Sequence, residues 1–152
     1  MAVALAAWEA VRQPSANGLD PQTVLDVLRH GIEDPELRRA FDAASISIGR
    51  GESASSYLQG LGIMGEVGGY MGHTVPAAVY CWLRWPGNFR KAVEEAVLLG
   101  GDTDTVGFLT GCLAGASAGP SSIPVEWVHG LLSWPRSEAW MRRLARRLGT
   151  LA

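Results

Sequence analysis

The sequence predicts an all-α fold, a compact orthogonal bundle of about seven helices. Three observations predict it. Apolar residues recur at helical spacing along most of the chain, as in Val24, Leu25, Leu28 and Ile32. Helix starts are explicit: Asp20-Pro21 and Asp34-Pro35 each place a capping acid before a Pro at the first helical position. No segment alternates apolar and polar residues over the length of a strand, and no fixed-period repeat appears.

The first element is expected over residues 2 to 12. A chain that opens directly on such an apolar segment is expected to have packed something before it. A helix then runs from Asp20, with Gly31 suited to its C-terminal cap. A second runs from Asp34, with Leu37, Phe41, Ala44 and Ile48 as its buried stripe. Ser53 caps a shorter one reaching Gly60. From Gly60 to Gly72 the periodicity dissolves, and Gly60, Gly62, Gly65, Gly68, Gly69 and Gly72 punctuate a loop. Such a loop either turns tightly or lets backbone approach a ligand.

Thr74 reads as the next cap, with Pro76 in the first turn and a heavily apolar body of Val79, Tyr80, Trp82 and Leu83; Pro86 ends it. Asn88 caps a helix in which Phe89, Val93, Ala96 and Val97 face inward, Glu94 and Glu95 face out, and Gly100 is the stop. The following helix carries Gly107, Gly111, Gly115 and Gly119, four apart. Glycine costs about 1 kcal/mol per helical position relative to Ala, so the stripe implies close packing on a neighbouring helix. A linker spans Pro120 to Pro124, and a short helix Val125 to Leu132. Ser137 caps the last helix. There Trp140, Leu144 and Leu148 alternate with Arg142, Arg143, Arg146 and Arg147, a solvated basic face. Trp127, Trp134 and Trp140 are expected to fasten these last helices to the body, and Trp82 and Trp85 to lie in the core.

The 152 residues suit one α-helical domain, 1–152, and suffice to bury a core. With 47% hydrophobic and 18% charged residues the composition is globular. A net charge of -2 gives no general pull toward nucleic acid or acidic membranes, so neither is expected as a partner. The apolar residues 1 to 8 lack a basic leader and are followed by Glu9, a poor signal peptide. In the apolar stretch from 92 to 119, Asp102 and Asp104 near the middle would be costly in lipid, so a soluble chain is expected. Cys81 and Cys112 both fall in apolar helical runs and are expected as free, buried thiols in a reducing cytoplasm.

The chemistry concentrates in Gly100-Gly101-Asp102-Thr103-Asp104-Thr105. Two acids sit one residue apart where one helix ends and the next begins. One of them could simply cap the second helix. Two carboxylates are more than a cap needs, however, and the neighbouring threonines add hydroxyl oxygens. The double glycine lets the backbone fold so that both acids point one way. An all-oxygen set suits Mg2+ or Mn2+ better than Zn2+, and no Cys–His spacing supports zinc. Further ligands must come from water, substrate or another acid. Glu66 is the most attractive extra acid because it lies in the glycine-rich loop, and a solvated loop glutamate is the favoured alternative. His73 reads as a supporting residue, and His30 and His129 have no partner pattern.

This loop, followed by an apolar glycine-spaced helix, resembles the ADP-ribosylglycohydrolase family, which includes the dinitrogenase-reductase-activating glycohydrolases and the ADP-ribosyl-acceptor hydrolases. Thr74-Val-Pro-Ala-Ala-Val-Tyr-Cys-Trp-Leu-Arg84 is similar to a helix of that family. The resemblance is specific over Gly68 to Gly119. It implies an all-α fold, two divalent ions (Mg2+ or Mn2+), and hydrolysis of the glycosidic bond of ADP-ribosylated proteins or small molecules. It implies Asp102 and Asp104 as catalytic residues, Asp102, Asp104 and Thr105 as metal ligands, and Gly68, Gly69 and Tyr70 as lining of the ADP-ribose pocket, with Tyr70 stacking on adenine. Family members are considerably longer, and their N-terminal half carries a Thr-Asp-Asp motif and a phosphate-binding loop. Neither occurs here, so the chain resembles the C-terminal half alone. The expectation is a fragment, one piece of a split enzyme with a complementary N-terminal polypeptide, or a truncated non-catalytic module that binds ADP-ribose or a partner.

Overall fold

A computed structural model describes residues 1–12, 19–132 and 135–150. Nine α-helices form among them, with no strand. In chain order they are α1 (Ala2–Arg12), α2 (Pro21–Gly31), α3 (Pro35–Gly49), α4 (Ala54–Gly60), α5 (Met71–Arg84), α6 (Phe89–Leu98), α7 (Thr103–Ala118), α8 (Val125–His129) and α9 (Glu138–Gly149). The all-α expectation holds. The chain divides into two compact units, Met1–Ser122 and Ile123–Ala152. The first holds α1 to α7 and a 3-10 turn at Pro120–Ser122.

The predicted caps do their work in the first unit. Asp20 accepts from the Gln22 and Thr23 N–H groups, Asp34 from Leu37, Ser53 from Ser56 and Asn88 from Lys91. Each satisfies a donor that the first helical turn leaves without a partner. The core forms around α5, where Thr74 to Leu83 are buried without a break. Burying each large apolar side chain contributes about 1.5–3 kcal/mol. Tyr80 of α5 stacks on Tyr57 of α4, ring centroids 4.1 Å apart. Two polar bonds fix α5 against α7: Trp82 Nε1–H donates to Ser117 Oγ at 3.0 Å, and the Thr110 hydroxyl to the Ala78 carbonyl at 3.3 Å.

The glycine stripe of α7 faces α6. A Cβ on Gly107 would meet Val97 at 3.4 Å, and one on Gly111 or Gly115 would meet Phe89 at 3.8 or 3.6 Å. Gly119 lies past the helix, at φ +80, and ends it.

Several local expectations are corrected. Helix α5 begins at Met71, three residues before Thr74. Thr74 is inside the helix, its hydroxyl donating back to the Tyr70 carbonyl at 2.8 Å. Pro76 therefore occupies the second turn, where its missing N–H costs one intrahelical bond. Gly31 is the last residue of α2 with an ordinary φ; its small size matters because a Cβ there would lie 2.5 Å from Leu5 of α1. Val97 is exposed, and α6 instead buries Ala92 and Ala96.

Glu95 faces inward rather than out. Its carboxylate accepts from Arg84 Nη1, Trp85 Nε1 and the Ala54 N–H, which joins α6 to α5 and α4. Cys81 is buried as expected, and burial pushes its thiol up; Cys112 is free but exposed.

In the second unit, α8 stops at His129, short of Leu132. Ser137 caps α9 through the Trp140 N–H. No residue of α9 is buried, and its four expected arginines are solvated. Trp127 is half-buried and Trp140 exposed, while Trp134 lies outside the described residues. No helix among the described residues is long and apolar enough to cross a membrane.

Candidate metal and substrate site

The acid loop is shaped by two glycines. Gly100 and Gly101 both sit at φ +74, a backbone region that favours residues without a Cβ. Gly101 pairs with Val67 of the glycine-rich loop in an isolated parallel bridge, and the Asp102 N–H donates to the Val67 carbonyl at 2.8 Å. A Cβ on Gly101 would stand 2.2 Å from that carbonyl oxygen. The two loops that the sequence marks as irregular are thus joined by backbone.

Asp102 occupies the N-cap position of α7 and makes no capping bond with its side chain. Its carboxyl instead meets that of Asp104, in the first turn of the helix. The hydrogen bond from Asp102, with the N–H groups of Thr105 and Asp104 itself, holds the Asp104 carboxyl below the usual carboxylate range. Asp102 is half-buried; Asp104 and Thr105 are exposed. Among the described residues neither carboxylate pairs with a lysine or arginine. Two carboxyl groups in contact without a cationic side chain must share a proton or a cation. Their all-oxygen chemistry, with the Thr105 hydroxyl on the same first turn, fits a hard divalent ion.

Gly69 closes on this pair. A Cβ there would lie 3.2 Å from Asp102 Oδ2, so the absence of a side chain leaves that face of the carboxylate approachable. Gly68 is exposed with open space around it. The Tyr70 hydroxyl donates to Glu36 Oε2 at 2.7 Å, and its ring stands edge-on to His73, centroids 5.2 Å apart. The bond to Glu36 raises its phenol above the ordinary value. Glu66 packs its Cγ toward Gly100, and among the described residues no group of three or more His, Cys, Asp or Glu gathers that could hold a metal. The pair Asp102–Asp104 therefore stands without a third acid from these residues.

Sequence reasoning missed Glu36. Its partner Tyr70 is 34 residues away, and no local spacing signals the contact. It missed Glu95 for a similar reason, since a glutamate beside Glu94 on an amphipathic helix looks solvated.

The family model described as ADP-ribosylglycohydrolase matches residues 1–152. The chain is 27% identical over 144 residues to ADP-ribosylhydrolase ARH3 of Homo sapiens, covering 84% of this chain and 37% of that protein. It is 32% identical over 81 residues to ADP-ribosylhydrolase ARH3 of Xenopus tropicalis, covering 47% of this chain and 23% of that protein. It is 41% identical over 69 residues to ADP-ribosylarginine hydrolase Tri1 of Serratia proteamaculans, covering 45% and 18%. The chain spans little more than a third of the length of the ARH3 proteins it matches. The family match runs over the whole sequence and so includes the bridged acid loop, the glycine-striped α7 and the buried α5: the chain belongs to the ADP-ribosylglycohydrolase family.

Proposed function

We propose that this chain serves a metal-dependent hydrolase that cleaves the glycosidic bond of ADP-ribosylated proteins or small molecules. One observation carries the proposal. Asp102 sits at a helix N-cap, does no capping, and is held by the Gly101–Val67 bridge against the carboxyl of Asp104. A residue kept for stability would use its carboxylate on the helix.

In this reading Asp102 and Asp104 hold Mg2+ or Mn2+, with Thr105 as a supporting hydroxyl. Such an ion supplies Lewis acidity and an activated water. Gly69 leaves room for a ribose to reach the Asp102 carboxylate, and Gly68 and Tyr70 line the approach. The names of the matched relatives support the substrate class. A cytoplasmic location suits the two free thiols.

Isothermal titration with Mn2+ tests the metal. The parent is expected to bind and Asp104→Ala to lose binding; no heat from either protein sinks the metal claim. Release of ADP-ribose from modified arginine or serine, measured separately, tests catalysis.

A second reading is a non-catalytic helical module that binds ADP-ribose or a partner chain. It is favoured by the carboxylate pair that lacks a third acid among the described residues, and by the 37% coverage of the matched ARH3. A complementary N-terminal polypeptide would then complete the site. ADP-ribose release by the chain alone and by its complex with such a polypeptide, the complex being sized by light scattering, separates the two: hydrolysis by the chain alone favours the first, activity gained only in the complex the split enzyme, and none in either the inactive module.

A further inference from the structure

Helix α9 presents two unlike faces. At 3.6 residues per turn, Trp140, Met141, Leu144 and Leu148 fall within an arc of roughly 100°. All four are exposed. Arg143 and Arg147 border that arc on one side, Arg142 lies beyond Ala145 and Glu138 on the other, and Arg146 stands opposite. The charge of the chain is unevenly placed as well. Its net charge is -2, yet residues 123–152 hold five arginines against two glutamates. Glu138 pairs with Arg142. Among the described residues Arg143, Arg146 and Arg147 have no acidic partner.

We propose that α9 is a membrane-surface helix that docks on a bilayer rich in anionic phospholipids. Trp140, Leu144 and Leu148 meet the acyl boundary, and the arginines lie among the headgroup phosphates. The proposal is independent of what the acid loop binds. Arginine on one side of a helix, with Trp and Leu on the other, is the pattern of helices that lie in the plane of the interface.

Charge and local shape choose this occupant. Trp140, Arg143, Leu144 and Arg147 line a shallow depression of about 180 Å3, which sets an indole and a leucine beside two guanidinium groups. That pairing matches a lipid, which offers a phosphate and a hydrocarbon edge together. Arg136 adds a further cation at the rim, its guanidinium carbon 5.1 Å from the centroid of the Trp140 ring. An acidic protein groove that covered the apolar face would leave Arg146 in solvent on the far side. The potential of an anionic bilayer extends about 10 Å at 0.1 M salt, roughly the width of a helix, and acts on all four arginines of α9.

The test is co-sedimentation of the full chain with vesicles of phosphatidylcholine alone and of phosphatidylcholine mixed with phosphatidylglycerol. The chain is expected to bind the mixed vesicles, to leave the neutral ones, and to dissociate as salt rises. Each arginine near such a surface strengthens binding about fivefold, so the double variant Arg143→Ala, Arg147→Ala is expected to bind about twentyfold more weakly. The double variant Leu144→Ser, Leu148→Ser is expected to lose at least about tenfold. All four side chains are exposed, so neither variant disturbs a core. Alanine favours helix, and the arginine variant decides the matter if the serine variant loses helicity by circular dichroism. Equal binding to neutral and mixed vesicles, or unchanged binding by the arginine variant, overturns the proposal. Absence of vesicle binding overturns it too: polyglutamate bound instead assigns the face to an acidic protein, and a dimer in light scattering that the serine variant dissolves assigns it to a second copy of the chain.

Discussion

The Val67 carbonyl oxygen stands 2.2 Å from where a Cβ of Gly101 would be. No side chain fits there, and the same carbonyl accepts the Asp102 N–H at 2.8 Å. One backbone atom of the glycine-rich loop therefore sets both the conformation of the acid loop and the direction of its first acid.

Gly101→Ala is expected to destabilise the chain by about 2–3 kcal/mol, from the strained φ and the forced separation of the two loops. Gly68→Ala, where nothing lies within 4 Å and φ is ordinary, is expected to stay within about 0.5 kcal/mol. Urea denaturation of the two variants checks the contrast. Equal losses would show that the bridge does not constrain the loop.

Asp102 and Asp34 occupy the same formal position at the starts of α7 and α3, yet only Asp34 bonds to its helix. Asp34→Ala is expected to cost about 1 kcal/mol of stability. Asp102→Ala is expected to cost less than about 0.5 kcal/mol, or to stabilise by relieving the carboxyl contact with Asp104, while Mn2+ binding is lost. Thermal melts paired with metal titration read both effects. A full capping loss at Asp102 with metal binding retained would return it to a structural role.

Glu95 gathers Arg84, Trp85 and Ala54 around a carboxylate whose side chain is 16% exposed. Glu95→Ala strips three donors of their acceptor in a partly buried place and is expected to cost about 2–3 kcal/mol. Glu94→Ala, on the solvent side beside Arg90, is expected to change stability by about 0.5 kcal/mol or less. Similar losses for the two would mean that water replaces the carboxylate in the Glu95 cluster.

The sequence carried the parts of this fold that are local. Asp20, Asp34, Ser53, Asn88 and Ser137 announce their helices because a cap and its N–H partners lie within three residues. The acid loop was legible for the same reason, as Gly100 and Gly101 need positive φ and sit beside the acids they orient. What stayed hidden depends on partners far along the chain. Tyr70 finds Glu36, Glu95 finds Ala54, and Val67 finds Gly101 only after folding. The start of α5 was misplaced because Thr74-Val75-Pro76 imitates a cap and first turn. There the apolar surface buried from Thr74 to Leu83 holds a proline inside a helix that its local preference would have shortened.

Tyr57 and Tyr80 give the chain an alkaline limit. Their rings stack in the core, the Tyr57 hydroxyl donates to the Ala40 carbonyl at 2.9 Å, and the Tyr80 hydroxyl to the Glu52 carbonyl at 2.8 Å. Burial pushes the Tyr80 phenol up to about 12 and the Tyr57 phenol higher still. A phenol raised in the folded state favours folding fully below its unfolded pKa of about 10. Above that, the unfolded chain ionises first, and stability falls as pH rises toward the folded value. Unfolding free energy measured by urea between pH 8 and pH 12, roughly spanning both values, is expected to decline from about pH 10. Tyr80→Phe cannot ionise and should flatten part of that decline, although losing the bond to Glu52 lowers its stability at neutral pH by about 1 kcal/mol. A decline of unchanged steepness in both Tyr57→Phe and Tyr80→Phe would assign the alkaline limit to other groups.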